Sequence, residues 1–475
     1  MSCRSRNLTC APSSACPSRP AGFDNGEDRR IVPDAAERGA VRGDGSSCPV
    51  PELLAPAGGR SQLEAAVRFG ADAVFLAADR FGMRARASNF PLDQLPDAVA
   101  YAHAAGVKVH ATLNILMHDR DIRALPAYVE ALAAAGVDAF IVSDLGALSV
   151  IQRHAPRAEL HVSTQASVMN AEAARMWHQL GAARVVCARE LSLDDIAELR
   201  ARAPRDLKIE AFVHGAMCMA YSGRCLLSAG MTGRSGNKGA CAQSCRWGYA
   251  LVEEKRPGEY FPVESDEYGT YVMNAEDLCM VEHLDALRAA GVDALKIEGR
   301  NKQAFYVATV VGAYRRALDG GSARHAAEEL RRVSHRPYGT GFYFGRPRQS
   351  AHADGYVRRY LHAATVERCR PSSSCGDSRG FEVIVRCQNR FVPTDELEAL
   401  TPGREPFALQ PRDLQLLMPV DGRAPFVERR VGLDEALAQG AWEHVAVANR
   451  ASEHYRFIAP APLQPGDFLR VPASS

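Results

Sequence analysis

Eight short apolar runs, each followed by a stretch with apolar residues at helical spacing, constrain the fold of this chain more than any other feature. The runs are ELLAPAG (52–58), AVFLAA (73–78), KVHATLNI (108–115), AFIVSD (139–144), ELHVSTQ (159–165), ARVVCARE (183–190), KIEAFVHGA (208–216) and ALKIEGR (294–300). Between them lie segments such as SQLEAAVRFGA and PAYVEALAAAGVDA, apolar at i, i+3 and i+4, with a glycine closing the helix before the next strand. The stretch FYVATVVGAYRRAL after residue 300 supplies the eighth helix. Continuous apolar strands need cover on both faces, which is the condition of a parallel sheet wrapped in helices, and eight repeats predict a closed (β/α)8 TIM-like barrel. An open doubly wound sheet is the alternative.

Strand starts recur every 20 to 35 residues up to the seventh, and then a gap of some 80 residues separates KIEAFVHGA from ALKIEGR. The spacing predicts an inserted lobe at about 215–290, and because it follows a strand it emerges at the C-terminal face, where barrel enzymes carry their chemistry. The barrel with this lobe spans 49–334. Beyond it, FEVIVRC, LQLLMPV, EHVAVANR and PGDFLRV are short runs bounded by Pro, Gly and Asp, which predict a small all-β domain over 371–475. The connecting segment, 335–370, belongs to a basic stretch: from Arg324 to Arg370 there are ten arginines against four carboxylates, interleaved with Tyr338, Phe342, Tyr343, Phe344, Tyr356 and Tyr360. Arginines neutralise phosphates and aromatic rings stack on unpaired bases, so Arg336, Tyr338, Arg346, Arg348, Arg358 and Arg359 are candidates for contact with single-stranded RNA; an ordinary solvated linker is the alternative.

Residues 1–48 are rich in Ser, Pro, Arg, Gly and Asp without apolar periodicity, and read as a disordered extension. The first twenty residues hold no apolar h-region and no run of about 18 apolar residues occurs anywhere, so a cytoplasmic protein without a membrane partner is expected. With 57 basic and 56 acidic residues the chain is no polyelectrolyte, and nucleic-acid binding has to come from a local patch.

Thirteen cysteines in a reducing compartment are poor disulfide material, and five of them, Cys218, Cys225, Cys241, Cys245 and Cys279, fall in the inserted lobe with spacing C-x6-C-x15-C-x3-C-x33-C. Wide, unequal spacing gathered from loops suits an iron–sulfur cluster better than the paired knuckles of structural zinc. Zinc and unligated thiols are the alternatives. The glycines around them, Gly215 to Gly239, let the backbone aim N–H groups at thiolate sulfurs.

The run from Glu210 to Ser228, EAFVHGAMCMAYSGRCLLS, resembles the signature of the collagenase-like peptidase family of the PrtC type. TGRSGNKGACAQSCRW (232–247), EEKRPGEYFPV (253–263), NAEDLCMVEHL (274–284), LKIEGR (295–300) and SHRPYGTGFYFG (334–345) are similar to a branch of it whose members hydroxylate tRNA. The resemblance covers about 50–460 and implies a barrel plus a C-terminal β domain. It implies a tRNA uridine hydroxylase that makes 5-hydroxyuridine at the wobble position in the anticodon loop, with prephenate as a required metabolite and no DNA partner. It further implies a [4Fe-4S] cluster on Cys218, Cys225, Cys241 and Cys279, with Cys245 as a substitute ligand. A cytosolic peptidase of unassigned mechanism is the alternative function, although neither H-E-x-x-H nor G-x-S-x-G occurs.

Polar residues at strand ends face a barrel's pocket. Asn114, Asp144, Gln165 and Arg189 are therefore candidates for substrate binding, and His214, Glu298 and Arg300 for catalysis. For His214 a general-acid or supporting role beside Cys218 competes with strand-end packing. For Glu298 and Arg300 an ion pair closing the barrel competes with catalysis, and Lys296, on the same side of its strand, allows a structural Lys–Glu–Arg network. His110, His161 and Cys187 lie within apolar runs and read as core.

Overall fold

The structure is a computed structural model that describes residues 49–82, 89–217, 225, 227–244, 247, 250–251, 261–262, 276–345, 357–372, 380–420 and 424–473. The expected N-terminal extension, Cys218, Cys245, Arg346 and Arg348 lie outside the described residues.

The alternation produces the barrel. Strands β1 (Glu52–Pro56), β2 (Ala73–Leu76), β3 (Lys108–Leu113), β4 (Ala139–Val142), β5 (Glu159–Val162), β6 (Arg184–Val186) and β7 (Lys208–Ala216) pair in parallel in sequence order. After the two-residue strands β8 (Ala250–Leu251) and β9 (Phe261–Pro262), which pair with each other, and β10 (Asp277–Cys279), the chain enters β11 (Ala294–Ile297). β11 pairs in parallel with both β1 and β7 and closes the ring. Helices α1 (Arg60–Arg68), α2 (Leu95–Ala104), α3 (Asp119–Ala134), α4 (Leu145–His154), α5 (Ala171–Gln179) and α6 (Leu193–Arg202) cover strands one to six. In the lobe comes α7 (Leu227–Thr232); α8 (Leu284–Ala289) is the helix of the seventh unit, and α9 (Ala304–Leu318) that of the eighth. Polar side chains start several helices: Ser192 and Asp195 form a capping box on α6, and Asn170 caps α5. Gly136 and Gly181 end α3 and α5 at φ +90° and +91°, a conformation that costs any side-chain-bearing residue strain.

Every strand turns one set of residues outward onto the helices and the other inward. The outward set merges with α9, whose Val307, Val310, Val311 and Tyr314 are buried, into one continuous core. Inside the barrel the apolar filling is small: Leu54, Ala73, Phe75 and Ile141. The rest is charged. Arg184 donates to both oxygens of Glu52 (2.7 and 3.1 Å) and to Glu210 (2.9 Å), and Lys296 Nζ donates to Glu210 (2.7 Å). Burial disfavours the Glu210 carboxylate, but Lys296 and Arg184 outweigh it and hold its pKa at about 2. His110 and His161 pack edge to face in the same interior, and burial lowers the pKa of both. A Lys–Glu–Arg network exists, but not on the residues expected: Lys296 and Arg184 both donate to Glu210, while Glu298 faces Arg189 and Arg300 donates to Thr112 and Asn89.

The lobe is inserted between β7 and α8. β10 runs back antiparallel along the end of β7, with Cys279 opposite His214, and β12 (Tyr338–Gly339) lies parallel to β10. The 3₁₀ turn Gly236–Lys238 holds the loop after β3: Leu116 N–H donates to Asn237 O (3.1 Å), and Lys238 pairs with Asp121 (2.9 Å). β3 and β7 stand four places apart in an eight-strand ring, so the lobe reaches across the mouth.

After α10 (Ala323–Leu330) the chain builds an eight-stranded antiparallel sheet: β13 (Tyr360–Pro371), β14 (Phe381–Cys387), β15 (Leu397–Leu400), β16 (Phe407–Leu409), β17 (Arg412–Pro419), β18 (Gly440–His444), β19 (His454–Ala459) and β20 (Phe468–Pro472). Two features differ from expectation. The last third of the connecting segment belongs to β13, because Tyr360–Pro371 pairs with both β14 and β20. The domain also carries two short helices, α11 (Phe426–Arg429) and α12 (Leu433–Gln439), which bury Phe426 and Ala436 against Leu417. The sheet is bolted to the barrel by charge: the fully buried Arg470 donates to Glu329 of α10 (2.5 and 2.8 Å) and to Glu398 of β15 (2.5 and 2.8 Å), and Arg68 of α1 pairs with Asp467 (2.9 Å). Among the described residues no helix is long and apolar enough to cross a membrane.

Candidate active site at the C-terminal mouth of the barrel

The last inward-facing residue of each strand lines the mouth. Asn114 and Gln165, following β3 and β5, meet there: Asn114 Nδ2 donates to Gln165 Oε1 (2.8 Å) and Ser163 Oγ (3.3 Å), and Ser163 Oγ donates to Gln165 Oε1 (2.6 Å). Arg189, after β6, lays its guanidinium 3.8 Å from the centre of the Phe212 ring and donates to Ala216 O (2.7 Å). Its other nitrogen faces Glu298 at 3.7 Å. Arg300 is buried and donates to Thr112 Oγ1 and Asn89 Oδ1, both at 2.9 Å. Glu298 and Arg300 therefore share the mouth, and the carboxylate lies opposite Arg189. Glycines let the backbone come this close: a Cβ on Gly58 would stand 1.9 Å from Arg300 O, and one on Gly215 2.5 Å from Glu298 O.

Four candidates lie elsewhere than expected. Asp144 is the N-cap of α4; its Oδ1 accepts from Ala147 N–H (3.1 Å) and its Oδ2 from Met117 N–H (3.4 Å), so both oxygens are engaged by backbone. His214 does not face the mouth. A register shift between Lys296 and Ile297, opposite it, accompanies its packing against Tyr306 and Tyr314 of α9 and Tyr338, with ring centroids 5.3 to 6.1 Å away. Burial, aided by His335 and Lys302, holds its pKa at about 3. Arg336 and Tyr338 do not lie on an open basic face: Arg336 is buried, and the Tyr338 ring stacks on His335 at 4.3 Å while its hydroxyl donates to Leu330 O (3.0 Å). Arg358 and Arg359 are exposed, as an RNA-facing role requires.

Of the lobe's thiols, Cys225, Cys241 and Cys279 are described, each as a free, half-buried cysteine. Cys241 Sγ accepts the N–H of Gln243 (3.3 Å), the kind of amide contact that stabilises a thiolate ligand. Cys279 lies against the Tyr314 hydroxyl, and burial pushes its thiol up to about 11, so ligation there would have to displace a proton. Among the described residues no three His, Cys, Asp or Glu side chains converge on one point. The donor chemistry fits an iron–sulfur cluster; a convergent geometry is not part of what the described residues display.

Sequence reasoning missed Thr112, Ser163 and Asn89. The first two were within reach, since each lies two residues before a recognised candidate in the same apolar run. Asn89 comes from a loop, at φ +49°, with no periodic signal.

Comparison with known proteins agrees with this architecture. The chain is 34% identical over 405 residues to tRNA hydroxylation protein P of Escherichia coli, covering 76% of this chain and 88% of that one. It is 40% identical over 305 residues to tRNA hydroxylation protein P1 of Bacillus subtilis, covering 62% and 72%. Against a protein named collagenase from Porphyromonas gingivalis it is 36% identical over 335 residues, covering 67% and 78%. The pattern that defines peptidase family U32 matches residues 58–353, from the first barrel turn to the segment beyond β12, and the chain belongs to that family.

Proposed function

We propose that this chain is a tRNA-modifying enzyme that hydroxylates the wobble uridine of the anticodon loop to 5-hydroxyuridine, with prephenate as a required metabolite. The observation that carries the reading is the match along 88% of the Escherichia coli tRNA hydroxylation protein P. The mouth supports it chemically. The Asn114 and Gln165 amides offer donors and acceptors of the kind a pyrimidine edge needs, and Arg189 and Arg300 offer guanidinium groups for the carboxylates of an organic acid. Glu298 beside Arg189 is the one carboxylate among these mouth residues placed to hold or move a proton. A base in an anticodon loop is already unpaired, so drawing it into a barrel costs only a few kcal/mol.

In this reading Cys218, Cys225, Cys241 and Cys279, with Cys245 in reserve, would hold a [4Fe-4S] cluster, which would supply one-electron chemistry.

The likeness to a protein named collagenase favours a second reading, proteolysis, and one experiment separates the two. Nucleoside mass spectrometry of tRNA from a deletion strain, grown with and without oxygen and lacking any parallel route, should show loss of 5-hydroxyuridine and of modifications built on it. Wild-type levels there, together with gelatin cleavage by the purified protein that a Cys225→Ala variant lacks, would establish the peptidase instead.

A further inference from the structure

The aromatic residues of SHRPYGTGFYFG divide sharply in the fold. Tyr338 is stacked on His335; Tyr343 is buried with its hydroxyl on Phe212 O (2.6 Å); Phe342 packs against the core. Phe344 turns outward. It is 56% exposed, and its ring meets His283 at 4.7 Å with 60° between the planes. Its position is fixed, because Leu193 N–H, at the first residue of α6, donates to Tyr343 O (3.1 Å). Barrel helices begin at the C-terminal rim, so Phe344 stands on the rim beside the ends of β6 and β7.

Uncompensated charge collects on the same structure. His335 and Val357 exchange backbone hydrogen bonds (2.8 and 3.2 Å), which brings Arg358 and Arg359 alongside the segment that leads through β12 to Phe344. Arg331 enters that segment from α10. All three arginines are exposed, and none forms an ion pair among the described residues. Their neighbours Arg332 and Arg470, by contrast, are tied to Glu398.

We propose that Phe344, braced by His283, is a stacking platform for an unpaired nucleobase next to the target nucleotide, and that Arg331, Arg358 and Arg359 receive the adjoining phosphates. The inference rests on the tRNA reading above. An open ring and exposed guanidinium groups carried along one run of the chain match single-stranded RNA, which offers base faces and phosphates in turn along its length; a duplex hides the base faces.

The test is binding of a labelled anticodon stem-loop to the full chain by fluorescence anisotropy at several salt concentrations. Phe344→Ala should weaken binding about 5- to 150-fold, and Phe344→Trp should retain it. Arg358→Ala with Arg359→Ala should lower the magnitude of the salt slope by about 1.4, roughly 0.7 for each lost phosphate contact. Urea midpoints of these surface variants serve as the folding control. If the wild-type chain binds and modifies tRNA while Phe344→Ala binds equally well, the platform is refuted and the tRNA reading stands; if the wild-type chain binds no tRNA, both fall. A concentration-dependent dimer that Phe344→Ala abolishes, with RNA binding unchanged, would make this face a contact between copies and overturn the proposal.

Discussion

Replacing Glu210 by alanine isolates a single buried charge. Lys296 Nζ sits 2.7 Å from Glu210 Oε1, with the Phe75 and Phe212 rings 4.6 and 5.5 Å away, whereas Arg184 keeps both bonds to Glu52 when Glu210 is removed. The variant therefore strands mainly Lys296. Removing one partner of a buried ion pair costs about 3–5 kcal/mol. The lysine can escape by losing its proton, but holding it neutral at pH 7 against an ordinary value near 10.4 costs about 4–5 kcal/mol, so the ceiling is the same by either route. Burial already lowers the Lys296 pKa and Glu210 opposes that drop. Once the carboxylate is gone, the native lysine is neutral where the unfolded one is still protonated. The unfolded state then binds more protons, and the variant's stability must rise with pH between about 7 and 10, by up to about 1.4 kcal/mol per pH unit. Urea denaturation followed by circular dichroism across that range measures both effects. The double variant Glu210→Leu, Lys296→Met should recover at least about 2 kcal/mol of the loss and show no added slope. A Glu210→Ala protein within about 1 kcal/mol of wild type, or one with a flat pH profile, would refute the view that this pair is ionised and dry.

Two further outcomes follow from the lobe and the domain junction. Protein purified without oxygen should be brown with about four irons per chain, and Cys→Ala at 218, 225, 241 or 279 should bleach it; metal analysis that finds a full zinc complement and no iron would refute the cluster. Arg470→Ala should cost about 3–5 kcal/mol, because Glu329 and Glu398 would face each other across the junction with Arg332 as the remaining cation between them; a urea midpoint unchanged from wild type would show that the junction does not depend on this charge.

The barrel was legible because its signal is local. Each strand is an apolar run and each helix a periodic one, and neither depends on a distant partner. The lobe's position was legible for the same reason, as a gap in that rhythm. Pairings that depend on closure were not. Lys296 finds Glu210 only because β11 docks beside β7, and within its own strand the nearest carboxylate is Glu298, which the fold gives to Arg189. Periodicity placed His214 in the mouth, and the irregular register opposite it accompanies packing against α9 instead. Composition marked the segment around Arg336 and Tyr338 as basic and aromatic, but it could not say which side chains turn inward; stacking on His335 and burial decided that. In the β domain LDEALAQ was hidden among strands because a seven-residue helix is too short to establish a period.

The place of β20 in its sheet has a consequence for biogenesis. Although it follows every other described strand of its sheet, it lies between β13 and β15 and joins the pair β15–β16 to the other five strands. Vectorial synthesis delivers the barrel first, so a nascent chain passes through a stage with a complete α/β half and a sheet parted along its middle. In that stage β13 and β15 expose unpaired backbone edges, and Glu329 and Glu398 await Arg470. A ribosome stalled before codon 468 would leave a product that retains the mouth and its polar groups yet invites edge-to-edge association, so loss of a few late residues should show itself as insolubility before it shows itself as lost chemistry.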